Sequence, residues 1–227
     1  FLKQTRSPAI VSSVFITKRK QPATVHCRLS SLSFQKDSVI FDLNQESLPF
    51  PIPGNAEDVA RIIDFDNVLN QEILKIKGLK KGSYALYIDH QPVASFSSAQ
   101  LKAGVNLASY QTPQALQARE VAKEVAAYRQ AYRGLRDIKI VEINFLTEMY
   151  YGAPEQNTMD YIGQLKESNS SIFTKNTYYF NLYFKSKPVE SHLENELVRL
   201  RQSIYMAAQP VRHHYTLKRA LQPPSIQ

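Results

Sequence analysis

Apolar and polar positions along this chain follow two periods. Up to about residue 106 they alternate in short runs separated by turn residues, and beyond Thr112 they recur at gaps of three and four. These are the signatures of strands and of amphipathic helices. The alternating runs predict strands over Ile10 to Ile16, Thr24 to Leu32, Ser38 to Leu43 and Ile73 to Ile76. In the third, Val39, Phe41 and Leu43 share the more apolar face. Tyr84, Leu86 and Ile88 alternate again, Asp89-His90-Gln91-Pro92 turns the chain, and Val93 to Phe96 returns, which predicts a β-hairpin. Leu48-Pro49-Phe50-Pro51-Ile52-Pro53-Gly54 carries three prolines that block ladder hydrogen bonds, so an extended loop is expected there, packing Phe50 and Ile52 over an edge.

The period changes within Gly78 to Ala118. Ser97-Ser98-Ala99-Gln100 has the form of a capping box, and Gly104 follows the short helical turn it would start. Thr112 and Pro113 then read as the N-cap and first residue of a long helix, with Ala118, Val121, Val125, Tyr128, Tyr132 and Leu135 as its seam. Gly134 is a place for that helix to kink or end, and Ile138 to Met149 continues it or starts another. Gly152-Ala153-Pro154 reads as a turn and Ser168 to Ser171 as a second break. Ser186-Lys187-Pro188 opens a final helix whose seam is Leu193, Leu197, Leu200, Ile204 and Ala207, stopped by Pro210. Two such seams should bury one another as antiparallel helices. Tyr178 to Phe184 is aromatic on every face, and a helix packed on both sides is expected for it, with a strand or an adhesive surface as the alternatives. The fold class is thus α+β: a β-rich region with short antiparallel strands over residues 1–110, then an antiparallel helical bundle or hairpin over 111–227.

Composition narrows the chemistry. With 227 residues, 43% of them hydrophobic, the chain can build a real core, and no apolar run is long enough to span a membrane. The opening residues lack the layout of a signal peptide, and the start on Phe1 suggests a processed chain or a fragment. The single cysteine, Cys27, excludes an intrachain disulfide and a cysteine-based zinc cluster, and its alternation with Val25 and Leu29 predicts a buried strand position. A net charge of +8 raises nucleic acid as a partner, but Lys18-Arg19-Lys20 lies between strand-like runs and the other basic residues are interleaved with acids. A solvated turn and no nucleic-acid binding are expected. His213-His214 with His192 are candidate metal ligands, but adjacent residues point apart and no carboxylate cluster accompanies them. His90 reads as an exposed turn residue, and Asn106 as a cap or brace at the sheet-to-helix switch. Asp64 and Asp66 read as solvated loop carboxylates, with a paired acid/base role as the alternative.

The series G-x-Y-x-L-x-I-D from Gly82, V-x-x-F from Val93, L-x-x-G-V-N-L-A from Leu101 and T-P-x-x-x-Q-A from Thr112 resembles the C-terminal region of bacterial SGNH (GDSL-type) hydrolases, lipase-like serine acylhydrolases. The likeness extends to Phe1-Leu2-Lys3, Ile10 to Val14 and Leu48 to Pro51, and more faintly to Tyr215. It implies hydrolysis of carboxylic esters, including O-acyl groups on carbohydrates, by a serine esterase without a cofactor, in a bacterial periplasmic or secreted setting. That family places its nucleophile in a Gly-Asp-Ser block and its base in Asp-x-x-His. This chain has neither motif: the residues three before its five histidines are Ala23, Tyr87, Val189, Pro210 and Val211. The resemblance therefore implies a C-terminal fragment, inactive alone, whose partner is an upstream catalytic domain, with no catalytic, cofactor or metal residues of its own. His90 departs from the family pattern, which has glycine after Ile-Asp. The alternative function is a non-catalytic glycan- or protein-binding module using the aromatic run Tyr178 to Phe184.

Overall fold

A computed structural model describes residues 9–143 and 158–220. It is an α+β protein whose described residues fall into two compact units, one drawn from residues 1–122 with 206–227 and the other from 123–205. Readings placed on Phe1-Leu2-Lys3, on residues 144–149 and on Gly152-Ala153-Pro154 lie outside the described residues.

The first unit holds two sheets. A four-stranded sheet has the order β2 (Ala23–Val25), β1 (Ile10–Thr17), β5 (Gln71–Lys77), β8 (Val105–Asn106). A five-stranded sheet has the order β3 (Cys27–Phe34), β4 (Ser38–Gln45), β9 (Arg212–Arg219), β6 (Ser83–Ile88), β7 (Gln91–Ser97). Their buried residues form one core: Val14, Ile16, Leu74 and Ile76 from the first sheet, with Phe41, Leu86, Ile88, Phe96, Tyr215 and Leu217 from the second. Burial alternates strictly along β1, β4, β5 and β6, as the period-two pattern requires. Between the strands lie α1 (Glu57–Ile62), α2 (Phe65–Leu69) and α3 (Ser98–Ala103). The expected capping box is present at α3, with Ser97 and Gln100 capping one another, and Gly104 follows it at a φ of 112°. Cys27 is buried, and its thiol donates to the Ser13 carbonyl at 3.3 Å.

Several expectations are corrected. The stretch 111–227 is not all helical, because β9 returns from the chain's end to the middle of the five-stranded sheet. β1 and β5 pair parallel, not antiparallel; they are joined by no tight turn but by a long connection through β2, β3, β4, α1 and α2. Thr24 to Leu32 is two strands, divided at His26, whose φ of 53° takes it out of the extended region. Phe50 is not packed over an edge but 60% exposed.

The second unit is helical. It contains the later part of α4 (Pro113–Val141), then α5 (Thr158–Glu167), α6 (Ser171–Ser186) and most of α7 (Glu190–Ala207). Pairing of α4 with α7 is antiparallel, since Gly134 meets Leu193 while Ser203 Oγ donates to Glu124 at 2.9 Å, nearer the start of α4. Gly134 neither kinks nor ends α4: a Cβ there would come within 2.7 Å of Leu193 Cδ1, so its role is close helix approach. The aromatic run is helical, as expected, but it does not pack on both sides. Phe180 and Tyr183 join Ile138, Val141, Ile162 and Phe173 in a core, whereas Tyr178 is 70% exposed. Beside that core, Lys187 bridges Glu142 and Glu190, both at 2.7 Å. Burial beside these charges pushes the Tyr183 phenol up to about 12.

Candidate functional site

Two features of the first unit gather the chain's chemistry. One is a buried polar cluster where the facing strands end; the other is a surface cleft beside the proline-rich segment.

The inner faces of the sheets are apolar along most of their length, but Ser12 in β1, Glu72 in β5, Gln45 in β4 and His213 in β9 occupy inward positions that the alternation reserves for core residues. All are buried, as are Gln114, the second residue of α4, and Tyr215. Gln45 Nε2 donates to Glu72 Oε1 at 2.6 Å and to Ser12 Oγ at 2.7 Å. Gln114 Nε2 donates to the same Glu72 oxygen and, at 2.9 Å, to the Tyr215 hydroxyl. Burial raises the Glu72 carboxyl above its ordinary value, and the two amide donors and His213 offset part of that. Glu72 Oε2, Gln114 Oε1 and His213 Nε2 are buried without a hydrogen-bond partner among the described residues.

An aspartate–histidine pair stands on each face of β9. His213 Nδ1 lies 2.6 Å from Asp89 Oδ2, and on the other face His214 Nδ1 lies 2.7 Å from Asp42 Oδ1. Burial opposes ionisation of Asp89, yet hydrogen bonds from the His214 N–H and the His213 ring hold its carboxyl below the ordinary value. An ionised carboxylate only accepts, so the His213 proton sits on Nδ1. This is the orienting half of a nucleophilic triad in form. Its base end, however, is on a ring only 6% exposed, and what the pair does here is fasten the Asp89-His90 turn to β9. Both turn residues have positive φ, 49° and 67°, as a two-residue hairpin turn requires. His90 is thus the exposed turn residue expected. Its ring is 6.0 Å from that of His214.

Asn106 braces the switch from sheet to helix, as read from the sequence. Its Oδ1 accepts the Glu72 N–H at 2.8 Å and the Ala108 N–H at 3.2 Å, and its Nδ2 donates to the Asp66 carbonyl at 2.8 Å and to the Asn70 carbonyl at 3.4 Å. Asn106→Ala removes all of these from part-buried backbone groups, so a loss of about 2–4 kcal/mol is expected in urea unfolding. Asn106→Asp keeps the acceptors and should lose less.

The cleft, of about 360 Å³, opens between Pro49–Ile52, the start of α1, Ser109 and the first turns of α4. A second hollow on its flank is lined in addition by Arg61, Asp64 and Asn67. Asp66 is shared between them, accepting from Ser109 Oγ at 3.1 Å and from Asn70 Nδ2 at 2.9 Å. Asp64 instead stands at the N-cap position of α2 in a left-handed conformation, where its carboxylate accepts from Asn67 Nδ2 at 2.8 Å and not from the helix backbone. The two carboxylates are therefore held by side-chain hydrogen bonds from neighbouring Asn and Ser residues. Aromatic, acidic, hydroxyl and guanidinium groups from Phe50, Glu57, Ser109 and Arg119 line the same space, a mixture suited to an organic ligand with polar substituents. His192 lies on α7, in the other unit. Among the described residues no group of three or more His, Cys, Asp or Glu side chains is placed to hold a metal ion, and no helix is long and apolar enough to cross a membrane. Sequence reasoning missed the Asp89–His213, Asp42–His214 and Glu72 contacts. For Glu72 and His213 the available signal was a polar residue at an inward strand position; Asp42 and His214 face outward and Asp89 sits in a turn, where a polar residue is ordinary.

No family profile and no curated protein matches this sequence. Among solved structures the fold is similar to that of a gut microbial diltiazem-metabolizing enzyme, with a TM-score of 0.79 and 25% sequence identity over 92% of this chain. The match takes in 50% of that enzyme, so this chain spans half of its length.

Proposed function

We propose that the chain is the C-terminal portion of an SGNH-type serine ester hydrolase acting on carboxylic esters, including O-acyl groups of carbohydrates. In this reading the nucleophilic serine and the Asp-x-x-His base belong to an upstream catalytic domain, and the protein works in the bacterial periplasm or outside the cell. The observation that carries it is the likeness, along nearly the whole chain, to half of an enzyme that metabolises diltiazem. Diltiazem bears an acetate ester, which suits acyl transfer to a serine. The cleft beside Phe50 and Ser109 would then form part of the substrate-facing surface, while the buried cluster supports the framework.

Assays with acetyl esters and a fluorophosphonate label test this directly. The isolated chain should be neither active nor labelled; the protein extended by its upstream half should be both. Labelling of the isolated chain, or inactivity of the extended protein across a broad ester panel, would refute the assignment.

A second reading is favoured by one observation. Tyr178 and Tyr179 are 70% and 39% exposed on α6, as a glycan- or protein-binding surface would need. Tyr178→Ala should then abolish binding to a glycan array without changing the melting temperature.

A further inference from the structure

Residues 49–65 bring four large apolar side chains to the surface within one short stretch: Phe50 is 60% exposed, Val59 59%, Ile62 83% and Ile63 52%. Val59, Ile62 and Ile63 stand at i, i+3 and i+4 on α1 and the residue that caps it, so they share one side of a helical turn. Phe50 joins the same segment through Phe65, whose ring centre lies 5.6 Å from its own. α1 thus turns its apolar side outward, the reverse of a helix laid on a core.

The backbone of Phe50 is held firmly. Asn70 is 1% exposed; its Oδ1 accepts the Phe50 N–H at 2.9 Å and its Nδ2 donates to the Phe50 carbonyl at 3.2 Å. The same Nδ2 reaches Asp66, and Asn106 fixes the carbonyls of Asp66 and Asn70. A buried amide network therefore fixes the backbone of an exposed aromatic residue. Three exposed apolar side chains on one side of a helical turn mark a surface that another folded body covers.

We infer that the surface formed by Val59, Ile62 and Ile63 docks the half of the protein that precedes Phe1, an inference that rests on the reading of the chain as a C-terminal portion. In the similar enzyme, as much polypeptide again lies outside the matched half. A covalently joined body meets this patch at high effective concentration. Glu57 and Asp58 on the same short helix disfavour an anionic lipid surface as the occupant.

Hydrogen exchange tests this on the isolated chain and on the protein extended by its upstream half. Amides of residues 57–63 should exchange about tenfold or more slowly in the extended protein. Ile62→Asp should leave the urea midpoint of the isolated chain unchanged and cancel that protection. Equal exchange in both forms, or a natural protein without such a half, overturns the inference. So does dimerisation of the isolated chain in sedimentation, or its flotation with phosphatidylcholine/phosphatidylglycerol vesicles, if either is lost in Ile62→Asp; the patch then belongs to a second copy or to lipid. Hydrolysis is read in none of these arms, so failure of the ester-hydrolase reading and failure of docking are told apart.

Discussion

A chain ending at Pro210 is expected to lose the folded β-unit altogether. β9 is no edge strand: it pairs with β4 from Ser38↔Lys218 to Asn44↔Arg212 and with β6 from Tyr84↔Arg219 to Ile88↔Tyr215. Its removal divides the five-stranded sheet into two hairpins, each with an unpaired edge facing the gap. It also takes away Tyr215 and Leu217, which are 1% and 0% exposed, and the stacking of Tyr215 on Phe41 at 4.9 Å between ring centres. Each such side chain contributes about 1.5–3 kcal/mol by burial alone, and the cavity left behind adds to the loss. Against a domain stability of about 5–15 kcal/mol, the loss of ladder, core and cavity together exceeds what the unit can bear. Methyl resonances of Ile16, Ile76 and Leu86 should collapse to unfolded positions in the truncated chain. If they keep their dispersion, β9 is dispensable and this account of the sheet is wrong.

The second large effect is expected at Glu72. Its folded-state pKa is raised above the ordinary 4.5, so between those two values the folded chain binds the proton and the unfolded chain does not. Stability from this group is therefore fully present below the unfolded pKa and is lost as pH rises through the folded one, by up to about 1.4 kcal/mol per pH unit. Asp42 and Asp89 act in the opposite sense. Their depressed pKa values give stability that is present above 3.8 and lost as pH falls. Glu72→Gln keeps an acceptor for Gln45 and Gln114 and removes the charge. It should be more stable than the parent at pH 8, and the difference should shrink toward pH 4.5. Glu72→Ala removes the acceptor the two amides share, leaving Gln45 only Ser12 and Gln114 only Tyr215, and opens a cavity, so it should cost about 2–4 kcal/mol at every pH. Urea midpoints across a pH series give the answer, and an unchanged slope in Glu72→Gln would show that Glu72 does not carry the alkaline loss.

The aromatic run from Tyr178 to Phe184 shows how far pattern reading reaches. Its helical form was legible, and so was some burial, but Tyr178 and Phe180 are chemically alike and only packing puts the first in solvent and the second in the core. The candidate site was legible in the same partial way. Asn106 could be read as a brace because its neighbours form a local turn, whereas the pairing of Asp89 with His213 joins residues 124 positions apart. Phe50 was read as a packing residue because large apolar side chains usually are. Its exposure depends on Asn70, whose contacts to the Phe50 backbone reach twenty positions back.

The sequence by itself determined what is local: the alternation that makes the strands, the cap and proline that start α4, the Ser97–Gln100 box, the positive-φ hairpin turn and the α+β class. Periodicity and caps act within a few residues, so they are readable in order along the chain. Beyond the β6–β7 hairpin, the tertiary structure alone decided which strands are neighbours. Residues 212–219 alternate as cleanly as any strand, with His213, Tyr215 and Leu217 inward, but following a helical run they carry no mark of their destination. That destination is set by the apolar faces of β4 and β6, which need a strand between them to close the core. The same closure brings Glu72, Gln45, Gln114 and His213 into one buried cluster, because strand pairing, unlike helix formation, joins residues without regard to their separation in sequence.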